Sequence, residues 1–378
     1  MSGIYIHIPF CKKACHYCNF HFSTTLNNKA DLVNAMRKEI RLVAARDQQV
    51  STIYVGGGTP SLLSAEELKT LLDEVSNAFI IEKGAEITLE ANPDDINNEQ
   101  LIHWREAGIN RLSIGIQSFF NEHLQWMNRA HNAQQAFESI RQAKAAGFDN
   151  FSIDLIYGSP TLSDAQWKQN IETVINLEVP HISSYALTVE KGTALDLMIQ
   201  KKKARPVTEE KQARHFLLLM EWMAEAGYEH YEISNFAKPG KRSRHNSSYW
   251  NGSAYLGIGP SAHSFDGKSR SWNIANNALY TKQIEGGVLP AEKETLSKVQ
   301  RLNEFIMTTI RTIEGVDIAR IKNDFGEEAG QNFLIKAGKY IDRQKCFIHD
   351  GHIILTREGK LFADGIAADL FFEEGELD

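Results

Sequence analysis

Six runs rich in apolar and β-branched residues recur along the first half of the chain, at residues 4–9, 52–55, 86–90, 111–116, 151–157 and 181–187. Each is followed by a stretch with a helical period. In one of them Ala133, Ala136, Phe137, Ile140 and Ala143 fall on one face and stop before Gly147, a C′ glycine. Two helix starts are marked by a hydroxyl followed three residues later by a side chain that can satisfy the first free N–H groups: Ser64 with Glu67, and Ser163 with Gln166. Strands alternating with helices predict an α/β fold with a parallel sheet. Six units rather than eight predict a partial (β/α)6 barrel that does not close and whose open side admits a large substrate. In such barrels the reactive groups gather where the strands end, so the residues just after each run are the ones to read for chemistry.

From about Leu296 the pattern changes to helices without intervening strands, then a hairpin over 346–356 whose turn holds Asp350-Gly351, a favoured type I′ pair. The chain therefore divides into a core at 1–235, a connecting region at 236–295, and a small helical, winged-helix-like C-terminal domain at 296–378. A winged domain raises DNA binding, and the charges oppose it. From Ser297 onward there are 11 Lys and Arg against 15 Asp and Glu, a net of −4, and the whole chain carries −7. Nucleic-acid affinity comes from clustered basic residues, so no nucleic-acid partner is expected. Apolar and charged fractions of 42% and 24% exclude disordered and fibrous classes. The start, Met1 to Tyr5, has no basic stretch leading into an apolar one, and runs such as 216–220 are too short to span a bilayer. A cytoplasmic protein with no cleaved signal and no transmembrane segment is expected.

Of four cysteines, three lie within eight residues and Cys346 stands alone, which is poor arithmetic for disulfides. Cys346 is expected as a buried, small apolar residue. Cys11, Cys15 and Cys18 form a C-x3-C-x2-C motif directly after the first strand. Three thiolates on a four-iron cubane leave one iron open to a bidentate small ligand. The alternative is a structural zinc ion with His7, His16 or His21 as fourth ligand; the spacing favours iron–sulfur, because zinc prefers paired C-x2-C hooks. The second run ends in Gly56-Gly57-Gly58-Thr59-Pro60-Ser61, where glycines let backbone groups approach a ligand.

Tyr5-Ile6-His7-Ile8-Pro9-Phe10-Cys11, the glycine run 56–61, Glu90-Ala91-Asn92-Pro93, Ser113-Ile114-Gly115-Ile116-Gln117-Ser118-Phe119 and Asp154-Leu155-Ile156-Tyr157-Gly158 together resemble the successive strand-end motifs of one radical S-adenosylmethionine (SAM) group. It contains oxygen-independent coproporphyrinogen III dehydrogenase and its HemW-type relatives. The resemblance covers about 3–265, with a weaker match through the C-terminal domain. It implies a [4Fe-4S] cluster on Cys11, Cys15 and Cys18. It also implies SAM contacts from Tyr5, Gly57, Gly58 and Thr59, a ribose-binding Glu90, and further SAM positions at Gln117, Arg129 and Asp154. Read without the resemblance, Glu90, Arg129 and Asp154 are an ordinary set of barrel ion pairs. The implied chemistry is one-electron reduction of SAM to methionine and a 5′-deoxyadenosyl radical, the protein positioning the cofactor and excluding side reactions.

Within that group the dehydrogenases resemble C-x3-C-x2-C-x-C, and here Phe20 stands at the place of the last cysteine. His245-Asn246-Ser247-Ser248-Tyr249-Trp250 matches the H-N-x-x-Y-W motif associated with haem binding in HemW-type haem chaperones. An imidazole can ligate haem iron, and aromatic rings offer flat apolar surface. The alternative is a packed loop in which His245 only hydrogen-bonds the backbone and Tyr249 and Trp250 are core. The resemblance thus implies a haem chaperone that hands haem to an acceptor protein, as monomer or homodimer, with room for peripheral membrane contact. The rival is a coproporphyrinogen III dehydrogenase, an oxidoreductase acting on a porphyrinogen. The loop 255–264 reads as a barrel-edge segment without an assigned role, and His16 and His21 as neighbours of the cluster or solvated side chains.

Overall fold

The computed structural model describes residues 3–377; Met1 and Ser2, part of the segment read above for a leader, and Asp378 lie outside the described residues. Six strands follow one another in chain order, each parallel to the next: β1 (Gly3–Ile8), β2 (Gln49–Gly57), β3 (Ile80–Ala91), β4 (Arg111–Gln117), β5 (Phe151–Tyr157) and β6 (His181–Ala186). Parallel strands are covered on both faces, and β1 shows the consequence. Ile4, Ile6 and Ile8 are almost wholly buried in the main core, while the alternate positions carry Tyr5 and His7.

A hairpin of β7 (Glu229–Glu232) and β8 (Asn235–Ala237) continues the sheet beyond β6. On the other side β9 (Tyr255–Ile258) pairs parallel with β1, and β10 (His263–Phe265), β11 (Ser269–Asn273) and β12 (Ala291–Thr295) extend it antiparallel. The resulting order is β12-β11-β10-β9-β1-β2-β3-β4-β5-β6-β8-β7. Strands β1 and β6 are not neighbours, yet Tyr5 of β1 and Tyr185 of β6 line the same cavity. The sheet therefore curls without closing, which is the partial barrel expected.

Both expected helix starts are capping boxes: Ser64 caps Ala65–Ala78 and Ser163 caps Asp164–Asn176, each with reciprocal hydrogen bonds. Helix Ala133–Ala145 ends as anticipated, Gly147 at φ 79° and the Phe148 N–H reaching back to the Ala143 carbonyl at 3.0 Å. Its buried face is corrected, however. Phe137 is 40% exposed and Ser139 takes its place, because Phe137 lies one residue past Ala136 and is rotated off the stripe.

Residues beyond β8 build sheet rather than merely connect. Helix Arg244–Trp250 carries the chain from β8, beside β6, to β9, beside β1. The added strands are tied down by Glu39 of helix Lys29–Leu42. Its buried carboxylate accepts from the Gly259 N–H (2.8 Å), the Asn273 amide (2.6 Å) and the Tyr280 hydroxyl.

The C-terminal part forms a second core around Leu302, Ile306, Ile321, Phe333 and Ile353. It holds a three-stranded antiparallel sheet in the order β13 (Val316–Asp317), β15 (His352–Leu355), β14 (Cys346–His349). Asp350 and Gly351 sit at φ 46° and 78°, the two positive values that a type I′ turn requires. Cys346 is buried as expected, and burial pushes its thiol up to about 11. Among the described residues no helix is long and apolar enough to cross a membrane.

Candidate functional site

The strands of the parallel sheet deliver their C-terminal ends to one cavity of about 480 Å³. Of the twelve site residues expected from the sequence, the structure brings eleven to its wall: Tyr5, Cys11, Cys15, Cys18, Gly57, Gly58, Thr59, Glu90, Gln117, Arg129 and Asp154. Only His245 lies elsewhere.

The cysteine loop leaves β1 and is fixed on both flanks. The Cys11 N–H donates to the Ser23 carbonyl (3.0 Å) and the Ser23 N–H to that of Pro9 (2.8 Å). The His16 N–H donates to Met127 (3.1 Å), and His16 in turn accepts from the Leu195 N–H (2.7 Å). All three thiols are free and partly exposed to the cavity. Burial pushes the Cys11 thiol up to about 11, against the Thr59 hydroxyl, which lowers it. A metal centre reverses that balance, because a coordinating thiol is deprotonated outright.

Zinc fits this loop poorly. Among the described residues no three His, Cys, Asp or Glu side chains converge on a single-ion position, as a tetrahedral zinc ion requires. His7 shares hydrogen bonds with the Tyr5 hydroxyl and the His21 carbonyl, His16 with the Trp126 carbonyl, and His21 with Asn277. Ligands of a cubane bind separate irons and need not meet at one point, so three thiols facing one cavity fit a [4Fe-4S] cluster.

Arg129 stands at the centre of the wall. Its guanidinium reaches Cys15 Sγ (3.4 Å), the Asn92 side-chain oxygen (2.8 Å) and the Gly115 carbonyl (2.9 Å). A side chain at Gly115 would bring a Cβ within 3.0 Å of that guanidinium, so the glycine keeps the approach open. Gln117 ends β4 at φ 62°, a strained conformation for a side chain other than glycine and of a kind found at functional sites.

Glu90 accepts from the Tyr54 hydroxyl (2.8 Å) and the Gly57 N–H (3.0 Å). Burial pushes its carboxyl up to about 7; the Tyr54 hydrogen bond opposes this and nearby Asp154 adds to it. Burial likewise raises Asp154 to about 6, against Ser183 and two arginines. These are not the tight ion pairs of an ordinary barrel: neither carboxylate is among the hydrogen-bond partners of Arg129, which also include Tyr17. The glycine run has a nearer cause than ligand approach. Gly57 sits at φ 110°, and a Cβ at Gly58 would lie 2.6 Å from the Phe10 carbonyl, so these positions accommodate the chain's own turn into the cysteine loop.

His245 stands apart from the other eleven. The ring is 1% exposed at the opposite end of the strands, with Nδ1 2.8 Å from the Thr52 hydroxyl, Nε2 2.9 Å from the Tyr249 hydroxyl, and Tyr54 stacked on it. Both nitrogens are engaged by side chains, and the ring is not part of the cavity wall. The packed-loop alternative matches in the burial of His245 alone: the ring bonds side chains rather than backbone, the segment is helix Arg244–Trp250, and Tyr249 and Trp250 are half-buried.

Asn92, Tyr17 and Tyr54 belong to the site's framework without having been singled out. Asn92 bridges Arg129 and the Thr59 hydroxyl (3.3 Å); its signal was its place two residues after Glu90. Tyr17, between the second and third cysteines, packs beside Arg129 and read as spacer.

Comparison with known proteins agrees with this arrangement. Residues 5–174 match the Radical SAM superfamily and residues 296–362 the HemN C-terminal domain. The chain is 34% identical to the heme chaperone HemW of Mycobacterium tuberculosis, covering 97% of this chain and 94% of that protein. It is 36% identical to HemW of Escherichia coli K12, covering 98% of each. It also superimposes on coproporphyrinogen III oxidase (HemN) from Escherichia coli with a TM-score of 0.84 at 23% identity, covering 98% of this chain and 89% of that one, a likeness of fold. With the three-cysteine loop, the cavity and similarity across nearly the whole length, the chain belongs to the HemW family within the radical SAM superfamily.

Proposed function

We propose that the chain is a cytoplasmic haem chaperone that carries a [4Fe-4S] cluster on Cys11, Cys15 and Cys18, binds SAM against it, and passes haem to an acceptor protein. Its full-length similarity to proteins named heme chaperone HemW supports this reading. The observation that carries it is Phe20. This ring stands where the dehydrogenases resemble one another in a further cysteine, and it lies 69% exposed at the wall of the cavity that Tyr185, 44% exposed, also lines. Exposed aromatic surface at a cavity mouth suits a flat macrocycle.

In this reading the chain's own residues hold and orient. Arg129 sets a positive charge beside Cys15 and offsets thiolate charge. Glu90, held by Tyr54 and the Gly57 N–H, offers its carboxylate to ribose hydroxyls. Tyr5, Gly57, Gly58, Thr59, Gln117 and Asp154 complete the SAM wall. When bound, the cluster supplies one-electron reduction of SAM. The unit described at 296–377 packs against the core through Arg311 to Glu232 and Arg357 to Glu221 rather than reading nucleic acid.

The test is an anaerobic titration of the reconstituted protein with haemin, followed by its Soret band. Saturable binding is expected, weakened several-fold in Phe20→Ala. Conversion of coproporphyrinogen III to protoporphyrinogen IX in the presence of SAM and a reductant would replace this reading with the dehydrogenase.

A further inference from the structure

The segment from His245 to Trp250 remains without a task once the imidazole is found buried. Its surroundings supply one. The His245 ring stacks on Tyr54 at 5.0 Å between centroids and 25° between planes, and Tyr54 stacks in turn on Tyr5 at 6.1 Å and 27°. Tyr5 lines the cavity. Three rings thus form a column from the closed end of the barrel to the cavity wall, and the middle ring donates its hydroxyl to Glu90.

The lower end of the column is fixed more firmly than packing alone demands. His245 is held at both nitrogens by Thr52 and Tyr249. Its backbone N–H and that of Arg244 donate to the two oxygens of the buried Glu86 carboxylate, at 3.0 and 3.2 Å. Tyr249 meets the His245 ring edge-on at 5.0 Å and Tyr255 of β9 at 4.6 Å. Trp250 lies under the Arg311 guanidinium, 5.5 Å from its ring centroid, and Arg311 bonds Glu232 and Asp364. The segment therefore braces the base of the column against both the added strands and the C-terminal part.

We infer that His245 and Tyr54 are positioning residues for the SAM wall: His245 fixes the Tyr54 ring, and the Tyr54 hydroxyl fixes the Glu90 carboxylate where the cofactor's ribose meets it. The inference rests on the reading of Glu90 as a SAM contact. A side chain held by a rigid neighbour loses less freedom on binding than one that must be ordered, so the brace appears in affinity for SAM rather than in the cluster or in haem uptake.

The experiment measures equilibrium SAM binding to anaerobically reconstituted protein, with iron, sulfide and haem titration recorded for each variant. Tyr54→Phe keeps the ring and the stack and removes only the hydroxyl. Its SAM dissociation constant is expected to rise roughly tenfold. His245→Ala is expected to weaken SAM binding by a similar factor while haem binds as before. Because the two act in series, the double variant is expected to be no weaker than the worse single one within about twofold. Unchanged SAM affinity in Tyr54→Phe, or strictly multiplicative effects, overturns the inference. So does loss of haem binding in His245→Ala with SAM affinity intact. Glu90→Gln separates the two levels: if it leaves SAM affinity unchanged, the reading of Glu90 itself has failed.

Discussion

Glu39 offers a stringent stability test, because one buried carboxylate holds three donors: the Gly259 N–H just past β9, Asn273 of β11 and Tyr280 of helix Asn277–Glu285. In Glu39→Ala the Gly259 N–H, the Asn273 amide and the Tyr280 hydroxyl all lose their acceptor. A buried donor left unsatisfied costs about 1–3 kcal/mol, and removing one partner of a buried charged network about 3–5 kcal/mol. An offset exists: burial raises the pKa of Glu39 even with its three hydrogen bonds, so its ionised form is itself disfavoured in the fold. The net expectation is a loss of about 3 kcal/mol, concentrated in the segment around β9 to β11. Native-state hydrogen exchange reads this locally: at about 1.4 kcal/mol per factor of ten, amides near Gly259 should exchange roughly a hundredfold faster. Glu39→Gln keeps one acceptor oxygen but sets an NH2 group against a donor, and should fall between. Exchange within tenfold of the parent in Glu39→Ala would refute the reasoning.

Other expectations follow from the cavity and the glycines. Replacing Cys11, Cys15 or Cys18 with serine should abolish the iron and labile sulfide of reconstituted protein, read by chemical analysis. Burial raises the Glu90 and Asp154 carboxyls to about 7 and 6. Their contribution to stability is therefore complete below about pH 4, near their unfolded values, and is lost as pH rises through 6 to 7. Ribose hydroxyls favour the ionised carboxylate, so SAM affinity should increase across pH 6–8, and an affinity independent of pH in that range would contradict the raised values. Gly58→Ala would press a Cβ to 2.6 Å from the Phe10 carbonyl and 2.9 Å from that of Ile8, and should yield little soluble, cluster-competent protein. Gly338→Ala, inside helix Glu327–Asp342 with nothing within 4 Å of the new carbon, should stabilise by about 0.5–1 kcal/mol in thermal unfolding.

The parallel strands were legible because burial on both faces writes them as apolar runs; Leu112, Ile114 and Ile116 are fully buried. Strands β7 to β12 were not. All five residues of β12, Ala-Glu-Lys-Glu-Thr, are exposed, as suits an edge strand protected by charge, and such a strand carries no hydrophobic period. The start of β3 was missed for the same reason, its residues 80–84 being mostly exposed. The cysteine loop and the strand-end residues were legible because their spacing is local. The role of His245 was not, since Thr52 and Tyr54 lie nearly 200 positions earlier and only the folded sheet brings them under the ring.

The pairing of β1 with β9 sets a delay on biosynthesis. Gly3 aligns with Tyr255, so the first strand made has one edge that only a segment some 250 residues later can cover. At translation rates of about 5–20 residues per second that partner emerges roughly 10–50 s after β1. Throughout that interval the nascent chain presents an open, apolar ribbon directly before its three thiols, and the ribosome releases most of the molecule before the ribbon can be sealed.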